Sequence, residues 1–206
     1  MSGETAKAMA AFQSSRRYVL AFLIGIICIL LIFGSSLQGD SMHELIEAYG
    51  LALILIGIGG RLWSILYIGG RKSAELVSTG PYSVTRNPLY FFSTIAAAGV
   101  GAQTGSIVIS LLAGLFCAGA FYFVALREER YLRATLGAPY LTYVQRVPRF
   151  VPSPWLFRDQ EEVTFRPRVF NRTLVDGLAF FASIPFFELV EKGRDLGMIP
   201  VVFHFY

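Results

Sequence analysis

The sequence predicts an all-α membrane protein, a bundle of four or five transmembrane helices. Hydrophobic residues make up 54% of the 206 residues and charged residues only 16%, which is too apolar for an ordinary soluble domain. Several apolar runs also approach the length of about 20 residues that crosses a hydrocarbon core. The net charge of +4 is modest, and no soluble segment interleaves basic and aromatic residues, so nucleic acid is not expected as a partner.

Four spans are predicted in order along the chain. They cover about residues 18–37, 47–69, 89–101 and 106–126. The small residues at 34–36 resemble the end of a signal peptide, but the charge-free run is long and lacks an A-x-A cleavage site, so a retained anchor is preferred to that alternative. The third and fourth spans form a hairpin around the turn at residues 102–105, and the fourth helix is expected to continue to Gly137, a typical helix stop.

The charges between the spans predict the orientation in the membrane. Basic residues precede the first span and follow the second and fourth, whereas Asp40, Glu44 and Glu47 follow the first. Cytoplasmic loops carry the excess of Lys and Arg, so the N-terminus and the loops after the second and fourth spans are expected in the cytoplasm. Arg61 lies inside the second span, and the sequence leaves open whether it reaches the membrane surface or lines a polar pocket.

The C-terminal part is predicted as a separate region, with a membrane domain over residues 1–157 and a linker and helix over residues 158–206. Residues 158–172 are polar and predict a linker. Residues 174–190 form either a fifth span or a helix on the membrane surface. The surface helix is preferred, because Asp176 and Glu188 interrupt an apolar run that is shorter than a span requires.

Two short blocks carry the candidate functional residues, and the first is LVSTGPYSVTRNPLY at residues 76–90. Gly80 and Pro81 predict a turn, since glycine permits unusual backbone angles and proline fixes the next residue. Asn87 followed by Pro88 predicts a helix start with the asparagine side chain as its cap. A helix start of this kind offers backbone N–H groups that can hold a carboxylate.

The second block begins with the paired glutamates Glu128 and Glu129 and ends with the run VPRFVP at residues 147–152. Glu128 shares a helix face with two leucines at four-residue spacing, so it is expected to point toward the bundle. Glu129 precedes Arg133 by four residues, a favourable spacing for an ion pair on an exposed surface. The pattern therefore favours Glu128 as the site residue and Glu129 as a solvated one.

The two blocks, in this order around a membrane hairpin, resemble the isoprenylcysteine carboxyl methyltransferase and phospholipid methyltransferase superfamily of integral-membrane enzymes. The resemblance covers roughly residues 57–155. It implies S-adenosylmethionine as the cofactor, a cytoplasm-facing pocket, and a lipid or lipid-linked acceptor. The implied cofactor-binding residues are Glu75, Leu76, Val77, Tyr82, Asn87, Pro88, Leu89, Tyr90, Glu128, Tyr140 and Tyr143, and the implied catalytic residues are Glu128 and Arg149.

One position departs from the family pattern. Asn87 stands where the family usually has histidine, and because asparagine cannot titrate, an acid–base role there is in doubt. A carboxylate acceptor is already ionised and needs no base, whereas an amine acceptor must lose a proton to Glu128 or a tyrosine. Two alternatives are an NADPH-dependent reductase of the membrane sterol type and a non-enzymatic protein on the same scaffold.

The sequence predicts no metal site. Cys28 and Cys117 lie within predicted spans, where a thiol behaves as a small apolar group, and they are too far apart for a metal motif. His43 and His204 stand isolated from other ligand residues in the sequence.

Overall fold

The computed structural model describes residues 34–36, 40–69 and 75–205, almost all of them helical or in short connections. The helices are α1 (Asp40–Ile68), α2 (Pro81–Val84), α3 (Pro88–Ala102), α4 (Ile107–Leu136), α5 (Ala138–Arg146), α6 (Pro167–Leu178) and α7 (Ser183–Asp195). Single 3₁₀ turns cover Pro154–Leu156 and Ala179–Ala182. Two short strands, β1 (Gly34–Ser36) and β2 (Phe203–Phe205), pair in parallel. The helical class is confirmed, and the predicted first span falls outside the described residues except for its last part.

Within the described residues, three helical segments are long and apolar enough to cross a membrane, namely Ser41–Ile68, Ile107–Leu136 and Pro167–Asp195. The predicted third span is a shorter apolar helix, α3, with 15 residues. Large apolar side chains on α4 point outward, and Phe123 and Leu115 are 72% and 69% exposed. Hydrocarbon rather than water is the favourable surrounding for such a surface, so the protein is an integral-membrane protein.

The predicted hairpin turn and helix stop are confirmed. Gln103, Thr104 and Gly105 form the turn between α3 and α4, and Gly105 adopts φ 68°, which glycine tolerates without strain. Ser106 caps α4, since its hydroxyl accepts a hydrogen bond from the Ile109 N–H at 3.3 Å. Gly137 ends α4 with φ 60°.

Small residues bring α1 and α3 into close contact. A Cβ atom on Gly57 would lie 2.6 Å from the Ala96 Cβ, and one on Gly60 would collide with the Phe92 ring. Such close approach lets the two backbones pack through dispersion forces, which drive helix association in lipid.

Arg61 has neither of the two surroundings considered from the sequence. Its Nη1 donates to the Ser93 hydroxyl of α3, and its guanidinium lies 5.9 Å from the centre of the Phe180 ring. It is absent from the pocket described below. The charge is instead held between three helical segments, where a polar partner and an aromatic face offset part of its desolvation.

The C-terminal helical segment runs antiparallel to α1 over nearly its whole length. The contacts that show this join Phe165 to Gly69, Gly177 to Ile58, and Glu191 to His43. A helix on the membrane surface would cross the ends of the bundle instead of following α1, so the geometry favours the membrane-spanning alternative. The predicted linker is also shorter than expected, because α6 begins at Pro167, a residue suited to the first helical position.

The packing of α1 on α3 predicts opposite effects for two neighbouring glycines. Gly57→Ala inserts a methyl group where Ala96 and Phe92 already lie within 3 Å, and we expect a loss of about 1–3 kcal/mol in the free energy of unfolding. Gly59→Ala meets no heavy atom within 4 Å, so its helix propensity should leave stability unchanged or raise it by up to about 1 kcal/mol. Melting temperatures in one detergent provide the comparison, and equal shifts for both variants would contradict the close packing.

The antiparallel course of the C-terminal segment predicts that its two ends lie on opposite sides of the membrane. Single cysteines at Gln160 and Met198, in a chain lacking Cys28 and Cys117, should react with an impermeant thiol reagent from opposite sides. Both positions are exposed in the structure, so access does not limit the reaction. Reaction of both cysteines from the same side of sealed vesicles would support the surface helix instead.

Candidate functional site

A pocket of about 650 Å³ opens beside the C-terminal end of α1, where the two motif blocks meet. Its walls come from the loop before α2, the start of α3, the second half of α4, and α5. The lining residues are Ile68, Glu75, Leu76, Val77, Tyr82, Arg86, Asn87, Pro88, Leu89, Tyr90, Glu128, Glu129, Leu132, Leu136, Tyr140 and Tyr143.

The Gly80–Pro81–Tyr82 turn requires glycine at its first position, because a larger residue does not fit there. Gly80 has φ 57°, and a Cβ atom there would collide with the Tyr67 ring of α1. Its N–H donates to the Arg158 carbonyl at 2.7 Å, which holds the turn against the chain beyond the second block. The turn carries Tyr82 into the interior, where the residue is only 5% exposed.

Hydrogen bonds join the first block to the second. The Arg86 N–H donates to the Pro148 carbonyl (2.9 Å), Asn87 Nδ2 to the Arg149 carbonyl (2.9 Å), the Thr85 hydroxyl to the Phe150 carbonyl (3.0 Å), and the Tyr143 hydroxyl to the Tyr82 carbonyl (2.7 Å). The prediction that the Asn87 side chain caps α3 is therefore wrong. Asn87 occupies the cap position, but its side chain makes no capping bond and its amide is used to hold the second block.

Glu129 is the buried carboxylate of the pair, which corrects the assignment made from the helix faces. It is 3% exposed and contacts two arginines, Arg86 Nη1 at 2.9 Å and Arg149 Nε at 3.0 Å, with Arg149 Nη2 at 3.2 Å. The predicted exposed pair with Arg133 is thus wrong. The inward face of α4 is wide enough to include both glutamates, because consecutive residues differ by only about 100° around a helix. Glu128 also lines the pocket, and its role there stays a prediction.

Arg149 does not line the pocket. Its guanidinium binds both oxygens of Glu129, and its Nη1 donates to the Tyr122 hydroxyl at 3.1 Å. The hydrogen bonds to Glu129 are the main cause that raises the pKa of Arg149 above its ordinary value. This arrangement favours a role in positioning Glu129 and the second block, and direct contact with a substrate remains a prediction.

A cluster of aromatic and aliphatic side chains forms the floor of the pocket. Tyr140, Tyr143 and Val147 are buried together and pack against Leu132 and Leu136 of α4. Burial raises the pKa of Tyr140 to about 12 and raises that of Tyr143 further. Both hydroxyls are therefore neutral at physiological pH, and they can donate hydrogen bonds but are poor bases.

Two buried polar atoms at the pocket have no hydrogen-bond partner among the described residues. They are the hydroxyl oxygen of Tyr82 and Nε of Arg86. Burial also raises the pKa of Tyr82 well above its ordinary value, so its hydroxyl keeps its proton. An unsatisfied buried donor costs about 1–3 kcal/mol, and a polar ligand in the pocket would remove that cost.

The structure brings together all eleven cofactor-binding residues that the resemblance implies, from Glu75 to Tyr143, in one pocket. Arg86 and Glu129 were absent from that set. Arg86 is part of the first motif, so its presence there was the available signal. Nothing in the local sequence indicated that Glu129 meets two arginines from distant segments.

The fold and the pocket together define a helical integral-membrane protein with a small-molecule site at one end of its bundle. The phospholipid methyltransferase family matches residues 45–138, which include the first motif block, both glutamates and Gly137. This chain belongs to that family. No solved structure matches the chain.

Three curated relatives resemble this chain over most of their length. The nickel-cobalt-cadmium resistance protein NccN of Alcaligenes xylosoxydans xylosoxydans is 33% identical over 86% of this chain and 84% of its own. The cobalt-zinc-cadmium resistance protein CzcN of Cupriavidus metallidurans is 31% identical over 90% and 84%. The protein-S-isoprenylcysteine O-methyltransferase B of Arabidopsis thaliana is 28% identical over 73% and 81%. The family and the plant relative support a membrane methyltransferase.

The arrangement of the two glutamates predicts different consequences for Glu129→Gln and Glu128→Gln. Glu129→Gln leaves two arginines without their shared anion, and breaking a buried ion network of this kind costs about 3 kcal/mol. We expect a clearly lower melting temperature for this variant. Glu128→Gln should lower the melting temperature less, because Glu128 is less buried than Glu129 and the ion pairs with Arg86 and Arg149 belong to Glu129. Equal melting temperatures for the two variants would contradict the assignment of Glu129 as the structural carboxylate.

Proposed function

We propose that this protein is a methyltransferase that moves a methyl group from S-adenosylmethionine to a lipid or lipid-linked acceptor at the membrane surface. The convergence of the motif residues on one pocket, with two unsatisfied buried polar atoms in its wall, carries this proposal. The family and the plant methyltransferase support the same chemistry. The basic loops predict that the pocket faces the cytoplasm.

The polar groups in the pocket wall fit S-adenosylmethionine. Its carboxylate, hydroxyls and adenine are acceptors for the Arg86 Nε–H and the Tyr82 hydroxyl, the two donors of the pocket wall that have no protein partner among the described residues. The Glu128 carboxylate in the same wall is suited to its cationic groups. When bound, S-adenosylmethionine supplies an electrophilic methyl carbon next to a positively charged sulfur.

The chain's own residues contribute alignment and exclusion of water. Leu76, Val77, Leu132 and Leu136 make much of the wall apolar, so attacking water is kept from the reacting centre. Arg86 is held through Glu129, and Tyr82 through the turn at Gly80, so both donors are oriented before a ligand binds. Methyl transfer is an in-line displacement, in which correct positioning supplies a large share of the rate enhancement.

The titration states in the pocket favour a carboxylate as the acceptor. Asn87 cannot take a proton, and Glu129 is held by two arginines. Burial raises the pKa of the tyrosines, so their hydroxyls stay protonated and do not accept a proton. Among the lining residues, an amine acceptor would depend on the carboxylates of Glu75 and Glu128 for the removal of its proton. A carboxylate is ionised at neutral pH and needs no base. The apolar outer face of α4 lets the hydrocarbon part of such an acceptor remain in the lipid.

A second candidate function is a membrane protein of metal resistance that has kept the scaffold without methyl transfer. It is favoured by the names of the two bacterial relatives, which refer to resistance to nickel, cobalt, zinc and cadmium. Those names state no reaction, and they are compatible with an active methyltransferase as well. Binding of the methyl donor separates the two candidates.

Calorimetry in lipid nanodiscs tests the proposal. The wild type should bind S-adenosylmethionine and its demethylated product and should not bind NADPH. Tyr82→Phe removes only the unpartnered hydroxyl, so we expect about five- to tenfold weaker binding, near 1 kcal/mol, with an unchanged melting temperature. Tyr131→Phe, the same change on α4 away from the pocket, should bind like the wild type.

The other outcomes point to specific alternatives. Binding of NADPH with no response to either methionine derivative would identify a reductase. A folded protein that binds none of the three would leave the non-enzymatic candidate. Equal losses in Tyr82→Phe and Tyr131→Phe would show that the pocket does not use the Tyr82 hydroxyl.

A further inference from the structure

A second group of ligand-type side chains lies at the opposite end of the bundle from the pocket. His43 and Glu47 occupy the first turns of α1, and Glu191 comes from α7, nearly 150 residues later in the sequence. The His43 Nε2 lies 3.3 Å from a Glu47 carboxylate oxygen and 3.7 Å from one of Glu191. The sequence suggested that His43 is isolated from other ligand residues, and the structure shows that it is not. About 25 residues of helix, or about 37 Å, separate it from Ile68 in the pocket wall.

The imidazole ring of His43 has a fixed place in this group. Its Nδ1 edge packs against Gly105 in the turn between α3 and α4, so closely that any Cβ atom on Gly105 would collide with the ring. The opposite edge, which carries Nε2, faces the two carboxylates. One nitrogen is thus oriented by the neighbouring turn, and the other is presented to the oxygens.

A simple ion pair explains part of this arrangement. His43 and Glu47 are four residues apart on one helix, a common spacing for a surface pair. It does not account for Glu191, which approaches the same nitrogen from another helix. Both distances also exceed the 2.7–3.2 Å usual for an N–H···O hydrogen bond, so neither carboxylate forms a strong bond with Nε2.

The distances fit three donors around one small cation. Zinc binds histidine nitrogen and carboxylate oxygen at about 2.1 Å, which separates neighbouring donors of a tetrahedron by about 3.4 Å. The observed 3.3 and 3.7 Å lie on either side of that value, and the three donor atoms are all within 4.8 Å of one another. A neutral imidazole with two carboxylates neutralises a divalent ion. Imidazole and carboxylate ligands suit zinc and similar transition metals.

We propose that His43, Glu47 and Glu191 bind a divalent transition-metal cation at the end of the bundle distant from the methyltransferase pocket. Water completes the coordination, since the three side chains supply only part of the shell. The ion ties the start of α1 to α7. Arg194, one turn further along α7, interacts electrostatically with Glu191 and competes with the cation, which moderates the affinity. The site does not depend on the proposed methyl transfer.

Zinc titration of the full chain in detergent tests the site, in a background in which Cys28 and Cys117 are serine so that thiols do not bind the metal. After treatment with a chelator, the wild-type site should take up one Zn²⁺ per chain, measured by competition with a fluorescent zinc indicator. His43→Gln and Glu191→Gln should each weaken this binding about tenfold or more. Glu191 is 51% exposed in its side chain, so its substitution is well tolerated by the fold.

Glu44→Gln is the matched control, because Glu44 is an exposed carboxylate next to His43 that lies outside the group. It should retain wild-type affinity, and zinc should raise the melting temperature of this variant and of the wild type. Zinc should not raise the melting temperature of Glu191→Gln, whose metal-free melting temperature should match the wild type. Absence of a zinc site in the wild type, or equal losses for Glu44→Gln and Glu191→Gln, would overturn the proposal.

Discussion

The geometry of the pocket depends on the ion pairs that the buried Glu129 carboxylate forms with two arginines. Glu129 receives Arg86 from the first motif block and Arg149 from the second, and it projects from α4, the helix that lies between them in sequence. Three segments that are distant along the chain therefore meet at two oxygen atoms. Removing three charges from water is costly, and the several short hydrogen bonds of this cluster offset that cost only while all three partners are present. The arrangement is for this reason sensitive to the loss of any one member.

This cluster also separates the roles of two glutamates that are adjacent in sequence. Glu129 is satisfied by protein groups, so its carboxylate organises the walls. Glu128 stands one residue earlier and lines the same pocket, whereas the ion pairs with Arg86 and Arg149 belong to Glu129. In the proposed function, Glu129 holds the pocket walls and Glu128 faces the methyl donor.

The two ends of the bundle differ in chemistry and are connected by the C-terminal helical segment. At one end, residues before α6 close the first block, where Arg158 accepts a hydrogen bond from the Gly80 N–H and Asp159 accepts one from the Tyr67 hydroxyl at 2.6 Å. At the other end, α7 brings Glu191 to His43. The part of the chain after the second block therefore contributes to both regions, although it lies outside the residues that the family matches.

The sequence by itself determined the helical membrane class, the hairpin turn, the stop at Gly137 and eleven of the sixteen residues that line the pocket. Local properties suffice for these features: the length of an apolar run, the backbone freedom of glycine, and motif residues whose order is maintained by a common fold. Only the tertiary structure decided that Glu129 is the buried carboxylate, that Asn87 holds the second block instead of capping α3, and that Glu191 reaches His43. The contact of Asn87 with Arg149 and that of His43 with Glu191 each join residues more than 60 positions apart. Glu129 meets Arg86 at a separation of 43 residues and Arg149 at a separation of 20. Helical periodicity limits which face of α4 a glutamate shares, but the position of a charged partner from another segment decides whether that carboxylate is buried.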